Sequence, residues 1–362
     1  MKWCKRCVTP ETRPRVEFNS EGVCNACVHH DRKKNEIDWG ARQDELRKIC
    51  DRFRKTDGSF DVIIPCSGGK DGSYVAWRMK HEFGMHPLCV TLAPQMPTPI
   101  GRRNLQNFIQ SGFDHILLSP DPHLYRKLAR QSFIDRAMPK QPFVIGISTA
   151  LFNVAVKFEI PFLMYGEQGE VEYGGSSETG VLQEMTPKFL TKYYYENEDL
   201  SNWGYWWRLP EFKNKLHATW WSYFEDWEPE AHAKLAKEKC GMEMLVGGSI
   251  GTFTNHSQLD DMLQDLHVYL QFVKFGFGRA TSDASIEIRR GRMSREQGVQ
   301  VVRNLDGTFP LEYLAAYLAY FGMTEEEFWQ VIYNHANLDL FEQKPPKSYR
   351  HARPYILKQE VE

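Results

Sequence analysis

The sequence predicts an α/β protein with a doubly wound parallel sheet, preceded by a four-cysteine ribbon and followed by a helical C-terminal region. Three observations support this prediction. An apolar β-branched run at residues 62–64 leads directly into a glycine-rich turn and a segment with helical periodicity. Further short apolar runs alternate with helical segments, which is typical of parallel strands joined by crossover helices. Two Cys-x-x-Cys pairs precede this core.

The composition is that of a folded domain, with 362 residues, 42% hydrophobic, 25% charged and a formal net charge of −2. Such a charge exerts no general attraction on nucleic acids or acidic membranes, so neither partner is expected. No apolar run approaches the roughly 20 residues that span a bilayer. The first residues lack the apolar stretch of a signal peptide. We therefore expect a cytoplasmic protein whose eight cysteines stay reduced.

The N-terminal segment, residues 1–36, is predicted to be a zinc ribbon. Its two Cys-x-x-Cys pairs are formed by Cys4, Cys7, Cys24 and Cys27. Each pair presents two thiolates on one side of a tight turn, and together they complete the tetrahedral set that zinc prefers. Four sulfur ligands leave no open position for water, so the site is expected to be structural. An iron–sulfur cluster accepts the same ligands and is the alternative.

The glycine-rich turn after the first predicted strand is shaped to receive an anion. Glycines let a turn fold tightly and leave backbone N–H groups free to converge, and a helix that begins there adds the positive end of its dipole. A Walker A loop requires G-x-x-x-x-G-K-[ST]. Here Asp71 follows Lys70, so that loop is excluded. A polar turn without a ligand is the plain alternative.

The S-G-G-x-D-x-S arrangement resembles the PP-loop of the ATP pyrophosphatases, which split ATP into AMP and pyrophosphate. The resemblance implies an adenine nucleotide alpha hydrolase-like fold that uses ATP and Mg²⁺. Lys70 would offset phosphate charge, and Asp71 would help to place Mg²⁺. The residues that would cradle the phosphates are Ser67, Gly68, Gly69, Lys70, Asp71, Gly72 and Ser73.

The PP-loop belongs to a predicted ATP-binding α/β domain at residues 37–180. A connector helix is predicted at residues 38–55, strands at 60–66, 87–92, 115–118 and 161–165, and a further helix at 146–158. Because ligands bind beyond the carboxyl ends of parallel strands, Thr91, Leu92 and Gly166 are predicted to approach the nucleotide. By the same rule, either Glu167 or Glu170 should lie near the reacting groups. Each of these glutamates could equally be a solvated loop residue.

Residues 181–257 are predicted to be an aromatic-rich insertion. Six of the ten tryptophans lie between residues 203 and 227, and Phe212 is among the other aromatics there. Three interpretations compete: a small core of its own, a substrate lid and a partner interface. Packing in a core or an interface is favoured over direct ligand contact, because buried aromatic side chains commonly act as anchors.

Residues 258–362 are predicted to be a mostly helical region that completes the active site. Residues 258–275 repeat with a helical period, and the basic segment that follows contains two glycines that allow close approach to an anion. Asp260, Asp261 and Asp265 are interpreted as a solvated helix face rather than a metal cluster. A helical hairpin is predicted at residues 311–320 and 325–335, and a basic tail after residue 342.

Taken together, these features resemble the N-acetyl sugar amidotransferase family, which makes acetamidino sugars for bacterial surface polysaccharides such as lipopolysaccharide O-antigen. The matching residues are the four cysteines, the PP-loop, Tyr165-Gly166-Glu167, Lys274-Phe275-Gly276-Phe277-Gly278-Arg279 and the Arg-x-Gly-x-Met-Ser-Arg motif at residues 289–295. The resemblance implies that Lys274 and Arg279 act on ATP phosphates, as basic residues do in asparagine-synthetase-like enzymes. With Lys70, Asp71 and Glu167 they form the predicted catalytic set.

The family resemblance also implies a reaction and its partners. The acetamido oxygen of a free or nucleotide-linked sugar would attack the α-phosphorus of ATP, and ammonia would then displace AMP to leave an acetamidine. No glutaminase motif is evident in the chain, so ammonia would come from a glutaminase subunit with a synthase-like partner. The main alternative is a tRNA-thiolating PP-loop enzyme, which usually needs a catalytic cysteine and a basic surface. A non-catalytic zinc-ribbon scaffold is a third possibility.

Overall fold

The computed structural model describes residues 1–176, 184–195, 199–211, 216–341, 353 and 355–362. Its centre is a five-stranded sheet in the order β3-β2-β1-β4-β5, in which every neighbouring pair is parallel. The strands are β1 (Val62–Pro65), β2 (Pro87–Leu92), β3 (Asp114–Leu118), β4 (Phe162–Tyr165) and β5 (His217–Trp220). The predicted α/β fold with a parallel sheet is confirmed.

Helices surround the sheet and form the C-terminal region. They are α1 (Asn25–Asn35), α2 (Trp39–Phe53), α3 (Lys70–His81), α4 (Pro99–Gln110), α5 (Pro122–Arg136), α6 (Gln141–Lys157), α7 (Gly169–Tyr173), α8 (Pro187–Leu190), α9 (Trp221–Phe224), α10 (Pro229–Cys240), α11 (Met262–Phe275), α12 (Arg279–Arg289), α13 (Arg295–Leu305), α14 (Leu314–Phe321) and α15 (Glu325–His335). Among the described residues, no helix is both long and apolar enough to cross a membrane.

The order of the strands creates a crevice between β1 and β4. From β1 the chain adds β2 and β3 on one side, and then returns to add β4 and β5 on the other. The loops that follow β1 and β4 therefore diverge at the carboxyl edge of the sheet, where doubly wound folds bind their ligands. This topology brings the PP-loop and the Gly166–Glu167 segment to one place.

Side chains of the strands alternate between two apolar clusters, one on each face of the sheet. Ile63 packs on the face covered by α6, whereas Val62 and Ile64 pack on the face covered by α3. Both faces are buried, as expected of a parallel sheet with helices on either side.

The aromatic-rich region contributes to this same core. Trp207 and Trp220 pack on one face of the sheet, and Trp221 and Trp227 pack on the other. The region also supplies strand β5, which the sequence analysis did not predict. The described aromatics of this region therefore belong to the core of the sheet. Phe212 lies outside the described residues.

The C-terminal helices form a further apolar cluster with α5. In that cluster the ring of Phe133 stacks on Phe321, with ring centroids 4.8 Å apart, and both pack near Phe328. The hairpin predicted at residues 311–320 and 325–335 corresponds to a 3₁₀ turn (Leu311–Tyr313) followed by α14 and α15. Most of the predicted basic tail, residues 342–352 and 354, lies outside the described residues.

The prediction that Asp260, Asp261 and Asp265 form a solvated helix face is wrong for two of them. Asp261 is buried, caps α11 at Leu263 N, and accepts hydrogen bonds from Met96 N at 3.0 Å and from Lys140 Nζ at 2.5 Å. Asp265 is buried as well. The charge pattern was misleading because a capping carboxylate can be buried when backbone N–H groups and a lysine satisfy it.

Candidate active site

The PP-loop is a tight turn in which Gly68 and Gly72 cannot be replaced without collision. Gly68 has a φ of +81°, and a Cβ there would lie 2.5 Å from the backbone of Asn104. A Cβ on Gly72 would lie 2.7 Å from the carbonyl oxygen of Pro65. Helix α3 begins at Lys70, inside the motif, so its free N–H groups and its dipole point at the crevice. The geometry is that of an anion site.

Lys70, which is buried, and Asp71, which is half-buried, form an ion pair at the start of this helix. Lys70 Nζ donates to one carboxylate oxygen of Asp71, and Nδ1 of His232 lies 3.3 Å from the other. The His232 ring is held between Tyr74 and Trp227, with centroids 4.0 Å and 4.2 Å away. Burial acts to raise the pKa of Asp71, but the Lys70 charge and the contact with His232 outweigh it and hold the pKa well below its usual range. Asp71 is therefore ionised.

Glu167 faces the same site from the end of β4. Its Oε2 accepts a hydrogen bond of 3.0 Å from the hydroxyl of Tyr173 in α7. Burial and the negative charge of Asp71 raise the pKa of Glu167, although Lys70 and Arg279 oppose this. The site thus holds one carboxylate that stays charged and another that binds a proton more readily, a division typical of sites that move protons.

Arg279 joins the site, whereas Lys274 does not. Arg279 opens α12, where its Nε pairs with Asp283 at 2.9 Å and its Nη2 donates to Ser257 Oγ at 3.2 Å. Its charge acts on Glu167 and Tyr173. Lys274 Nζ instead donates to the carbonyl oxygen of Arg136 at 3.1 Å. The two basic residues separate because α11 ends at Phe275 and the chain turns at Gly276, whose φ is +77°.

The other predicted nucleotide-binding residues fall into two groups. Gly166 lies beside Asp71, since a Cβ on it would be 3.6 Å from the Asp71 Cβ. Thr91, Leu92 and Ser73 instead support the loop from beneath. Thr91 Oγ1 donates to the carbonyl of Cys66, the Leu92 side chain is buried in the core, and the Ser73 hydroxyl is fully buried 3.8 Å from Cys66 Sγ. The side chains of these three residues are all buried.

Cys66 is a packing residue of the loop. It is buried, and burial raises the pKa of its thiol to about 12. A thiol of this kind stays protonated at neutral pH and is a poor nucleophile.

Sequence reasoning missed three residues of the site: His232, Tyr173 and Asp283. None lies in a recognisable motif, and His232 is separated from Asp71 by 161 positions. The only signal for Tyr173 was its place six residues beyond Glu167. Residues of this type are brought to a site by helix packing, which local patterns do not reveal.

The four cysteines of the ribbon converge as predicted. All four are fully buried, and their Sγ atoms lie within 4.8 Å of one another. Backbone N–H groups of Arg6 and Cys24 point at Cys4 Sγ from 3.4 Å and 3.3 Å. Such donors stabilise thiolates, so the residues fit a tetrahedral metal ion. In the described part of the chain this is the group of His, Cys, Asp and Glu side chains that meets the spacing of a metal site.

The ribbon is fastened to the segment that carries Glu167. Arg15 pairs with Glu170, and Arg13 Nε donates to the carbonyl oxygen of Gly174 at 3.0 Å. Of the two glutamates predicted at this strand end, Glu167 lies near Lys70 and Asp71, whereas Glu170 binds the ribbon.

The fold is that of an α/β protein with a parallel sheet, a glycine-rich loop that resembles a PP-loop, and a four-cysteine ribbon. Residues 250–353 match the family described as LPS biosynthesis protein WbpG-like, C-terminal domain. The matched region includes α12 and therefore Arg279. The match supports the resemblance to the N-acetyl sugar amidotransferase family over this C-terminal part of the chain.

Two proteins of Methanocaldococcus jannaschii are also similar to parts of the chain. An uncharacterized protein is 27% identical over 88 residues, which cover 24% of this chain and 31% of that protein. The chain thus matches less than a third of the length of that relative. A solved structure described as a predicted subunit of tRNA methyltransferase aligns with a TM-score of 0.30 and 14% identity, over 55% of this chain and 82% of that one.

Proposed function

We propose that this protein is an ATP-dependent amidotransferase that converts the acetamido group of an N-acetylated sugar into an acetamidino group. AMP and pyrophosphate are the other products. The observation that carries the proposal is the convergence of the PP-loop, the ionised Asp71 and the protonatable Glu167 at one crevice. The WbpG-like C-terminal domain supports the choice of a sugar substrate in lipopolysaccharide biosynthesis.

The proposed chemistry overcomes the low electrophilicity of the amide carbon. An amide carbon is a poor electrophile because its nitrogen donates electrons to the carbonyl. When the acetamido oxygen attacks the α-phosphorus of ATP, pyrophosphate leaves and the amide becomes an O-adenylyl imidate. Ammonia then adds to the imidate carbon, AMP departs with the original oxygen, and the acetamidine remains.

The residues at the crevice suit the first step. The loop N–H groups and the helix dipole stabilise the phosphates, and Lys70 adds a positive charge beside them. Asp71 is the residue that would hold Mg²⁺, because an ionised carboxylate is the ligand that this ion prefers. When bound, Mg²⁺ would offset the charge of the pyrophosphate that leaves.

Glu167 suits the second step. Ammonia must lose protons after it adds to the imidate carbon, and a carboxylate whose pKa is raised towards neutral is an effective acceptor. Tyr173 holds the Glu167 carboxylate in place through its 3.0 Å hydrogen bond. Arg279 lies close enough for its charge to act on both residues.

The four-cysteine ribbon is proposed to hold a structural zinc ion. Four buried thiolates with N–H donors around them leave no position for a substrate. The ribbon would then act on catalysis only by holding the segment between Glu167 and Gly174.

Ammonia is proposed to come from a glutaminase subunit with a synthase-like partner. The buried, protonated thiol of Cys66 does not suit an acyl-transfer nucleophile. The same property argues against the tRNA-thiolating alternative, which needs a reactive cysteine beside the loop. A glutaminase that transfers no ammonia to this protein, while free ammonium supports full turnover, would leave the partner without support.

The test is product analysis with the purified chain. With ATP, Mg²⁺, ammonium and an N-acetylated sugar, mass spectrometry should detect an acetamidino sugar and an equal amount of AMP. Lys70→Met should lower turnover about 100-fold or more, the usual scale for loss of a charge that stabilises a transition state. Lys80→Met, in the same helix but bonded to the carbonyl of Gly112, is the matched control. AMP formation that requires tRNA instead of a sugar would refute the proposal.

A further inference from the structure

The Arg-x-Gly-x-Met-Ser-Arg motif at residues 289–295 has no role in the steps above. Its first residue, Arg289, is the last of α12 and is only 8% exposed, which is unusual for a charged side chain. Its Nη2 donates to the carbonyl oxygen of Glu172 in α7 at 3.0 Å. Its Nη1 is buried and has no hydrogen-bond partner among the described residues. The motif therefore begins with a buried guanidinium that a neutral carbonyl satisfies only in part.

In the described part of the chain, no carboxylate lies within ion-pair distance of the Arg289 guanidinium. The carboxylate of Glu172 is held instead by Lys33, whose Nζ donates to its two oxygens at 2.6 Å and 2.5 Å. Arg292, in the same motif, does have such a partner, since it pairs with Glu228 at 2.7 Å. A buried charge without a counter-charge is costly, so the counter-charge of Arg289 should be of another kind.

The face of α12 that carries Arg289 packs on the ribbon. Ser285 lies one turn before Arg289 on the same side of the helix, and it is buried. Its hydroxyl lies 3.2 Å from Thr9 Oγ1, which in turn lies 3.3 Å from Cys7 Sγ. Ile288 packs against the apolar cluster that contains the four ribbon cysteines. This end of α12 therefore lies against the four-cysteine site.

The four-cysteine site can supply the counter-charge. Burial acts to lower the pKa of Arg289, but the charges of Cys7, Cys27 and Cys24 outweigh it and raise the pKa. Four thiolates around a divalent ion leave two surplus negative charges, and all four cysteines are fully buried, so water does not disperse them. A buried cation beside such a site stabilises the metal-bound form more than the metal-free form, in which thiols are protonated and neutral.

We infer that Arg289 is the counter-cation of the four-cysteine metal site and that it links this site to α7. The inference rests on the zinc site of the proposed function and not on the proposed reaction. Helix α7 carries Tyr173, whose hydroxyl holds Glu167, so the guanidinium joins the metal site to the active site. Arg289 is a positioning residue, because it acts through the backbone of Glu172 and not on the substrate.

The zinc affinity of the purified full chain, measured by competition with a chromophoric chelator, tests the role of the charge. Arg289→Gln keeps an N–H donor but removes the charge, so it should weaken zinc binding about ten-fold or more, the scale for residues that surround metal ligands. Arg289→Lys keeps the charge and should stay within about three-fold of the wild type. Since protons compete with zinc for thiolates, Arg289→Gln should also release zinc at a higher pH. Arg292→Gln, at an exposed position of the same motif, is the matched control and should match the wild type.

Hydrogen exchange of the α7 amides, followed by mass spectrometry on the zinc-saturated chain, tests the link. Arg289→Leu cannot donate to the carbonyl oxygen of Glu172. Exchange at residues 169–173 should therefore be about ten-fold faster or more, the scale for one hydrogen bond that involves a charged group. The exchange should be unchanged in Arg292→Gln.

Each part of the inference has a result that would overturn it. Wild-type zinc affinity in Arg289→Gln would overturn the counter-cation. Equal losses in Arg289→Gln and Arg289→Lys would do the same, because the shape of the side chain would then matter and not its charge. Unchanged α7 exchange in Arg289→Leu would overturn the link. A wild-type chain that binds no zinc would refute the metal site and this inference with it, whereas the expected zinc results in a chain that makes no acetamidino product would refute only the reaction.

Discussion

At the residue scale, the behaviour of the two carboxylates at the crevice is set by their neighbours. Asp71 and Glu167 are both half-buried, and their partial removal from water would by itself raise both pKa values. Asp71 has Lys70 on one oxygen and His232 near the other, so it stays charged. Glu167 has only a neutral hydroxyl within hydrogen-bond distance in the described structure, and it also feels the charge of Asp71. The loop can therefore hold a cation beside a group that takes up protons.

His232 is predicted to position Asp71 for Mg²⁺. His232→Leu removes the contact with Asp71 Oδ1, so the carboxylate can rotate, and the Mg²⁺ concentration for half-maximal ATP turnover should rise about ten-fold. His232→Asn keeps an N–H near the position of Nδ1 and should restore most of the Mg²⁺ response. His123→Leu, an exposed position, is the control. An unchanged Mg²⁺ response in His232→Leu would show that Asp71 needs no such support.

At the element scale, the active site depends on helices that meet only in the folded chain. The loop and α3 are contiguous in sequence, so the motif predicted them correctly, and the strand-end rule predicted the place of Glu167. The contributions of α7, α10 and α12 were not predictable in the same way, because Tyr173, His232 and Asp283 lie on short helices with no distinctive pattern. For Lys274 the opposite holds. Its motif predicted a role in the site, but the chain turns at Gly276 and the Lys274 side chain contacts the carbonyl oxygen of Arg136 instead.

The buried start of α11 should make stability depend on pH. Burial raises the pKa of Asp265 to about 7, above the 3.8 of a free aspartate. The protonated form is thus favoured in the folded state, and its contribution is complete below pH 3.8 and lost as the pH rises through about 7.

Asp265→Asn stays neutral and keeps an acceptor for Gln258 Nε2, which donates at 2.6 Å in the wild type. Urea unfolding at pH 8 should show the variant more stable than the wild type by about 2 kcal/mol or more, with the difference shrinking towards pH 4. Asp44→Asn, at an exposed position of α2, should show no such trend. Equal differences at both pH values would contradict the assignment.

At the scale of the whole molecule, the parallel sheet and the ribbon were predictable from the sequence. Strand β5 and the contact between the ribbon and the core were not. Strand–loop–helix alternation and cysteine spacing are local signals, and they predicted the sheet and the ribbon. Strand β5 was not predicted from the sequence. It is four residues long and lies in a tryptophan-rich segment in which apolar and polar residues do not strictly alternate. The contact between ribbon and core was also hidden, since it depends on Arg13 and Arg15 meeting the segment around α7.

Because the ribbon contacts the core, loss of its metal should destabilise the folded chain. The purified chain should carry one zinc ion, and Cys24→Ser should lose it and unfold at a lower temperature, because three buried thiols would remain without a cation. Cys240→Ser, also buried but outside the cluster, should keep the metal. Metal content by mass spectrometry distinguishes these outcomes. Iron with labile sulfide in the wild type would instead establish a cluster, and full metal retention in Cys24→Ser would contradict the four-cysteine site.

The central claim is that the PP-loop activates a sugar amide with ATP, and exchange of labelled pyrophosphate into ATP tests it most directly. The adenylation step is reversible before ammonia arrives, so exchange should appear with ATP, Mg²⁺ and an N-acetylated sugar in the absence of ammonium. It should vanish without the sugar and in Asp71→Asn. Exchange that tRNA stimulates, or exchange that is indifferent to every N-acetylated sugar, would contradict the account.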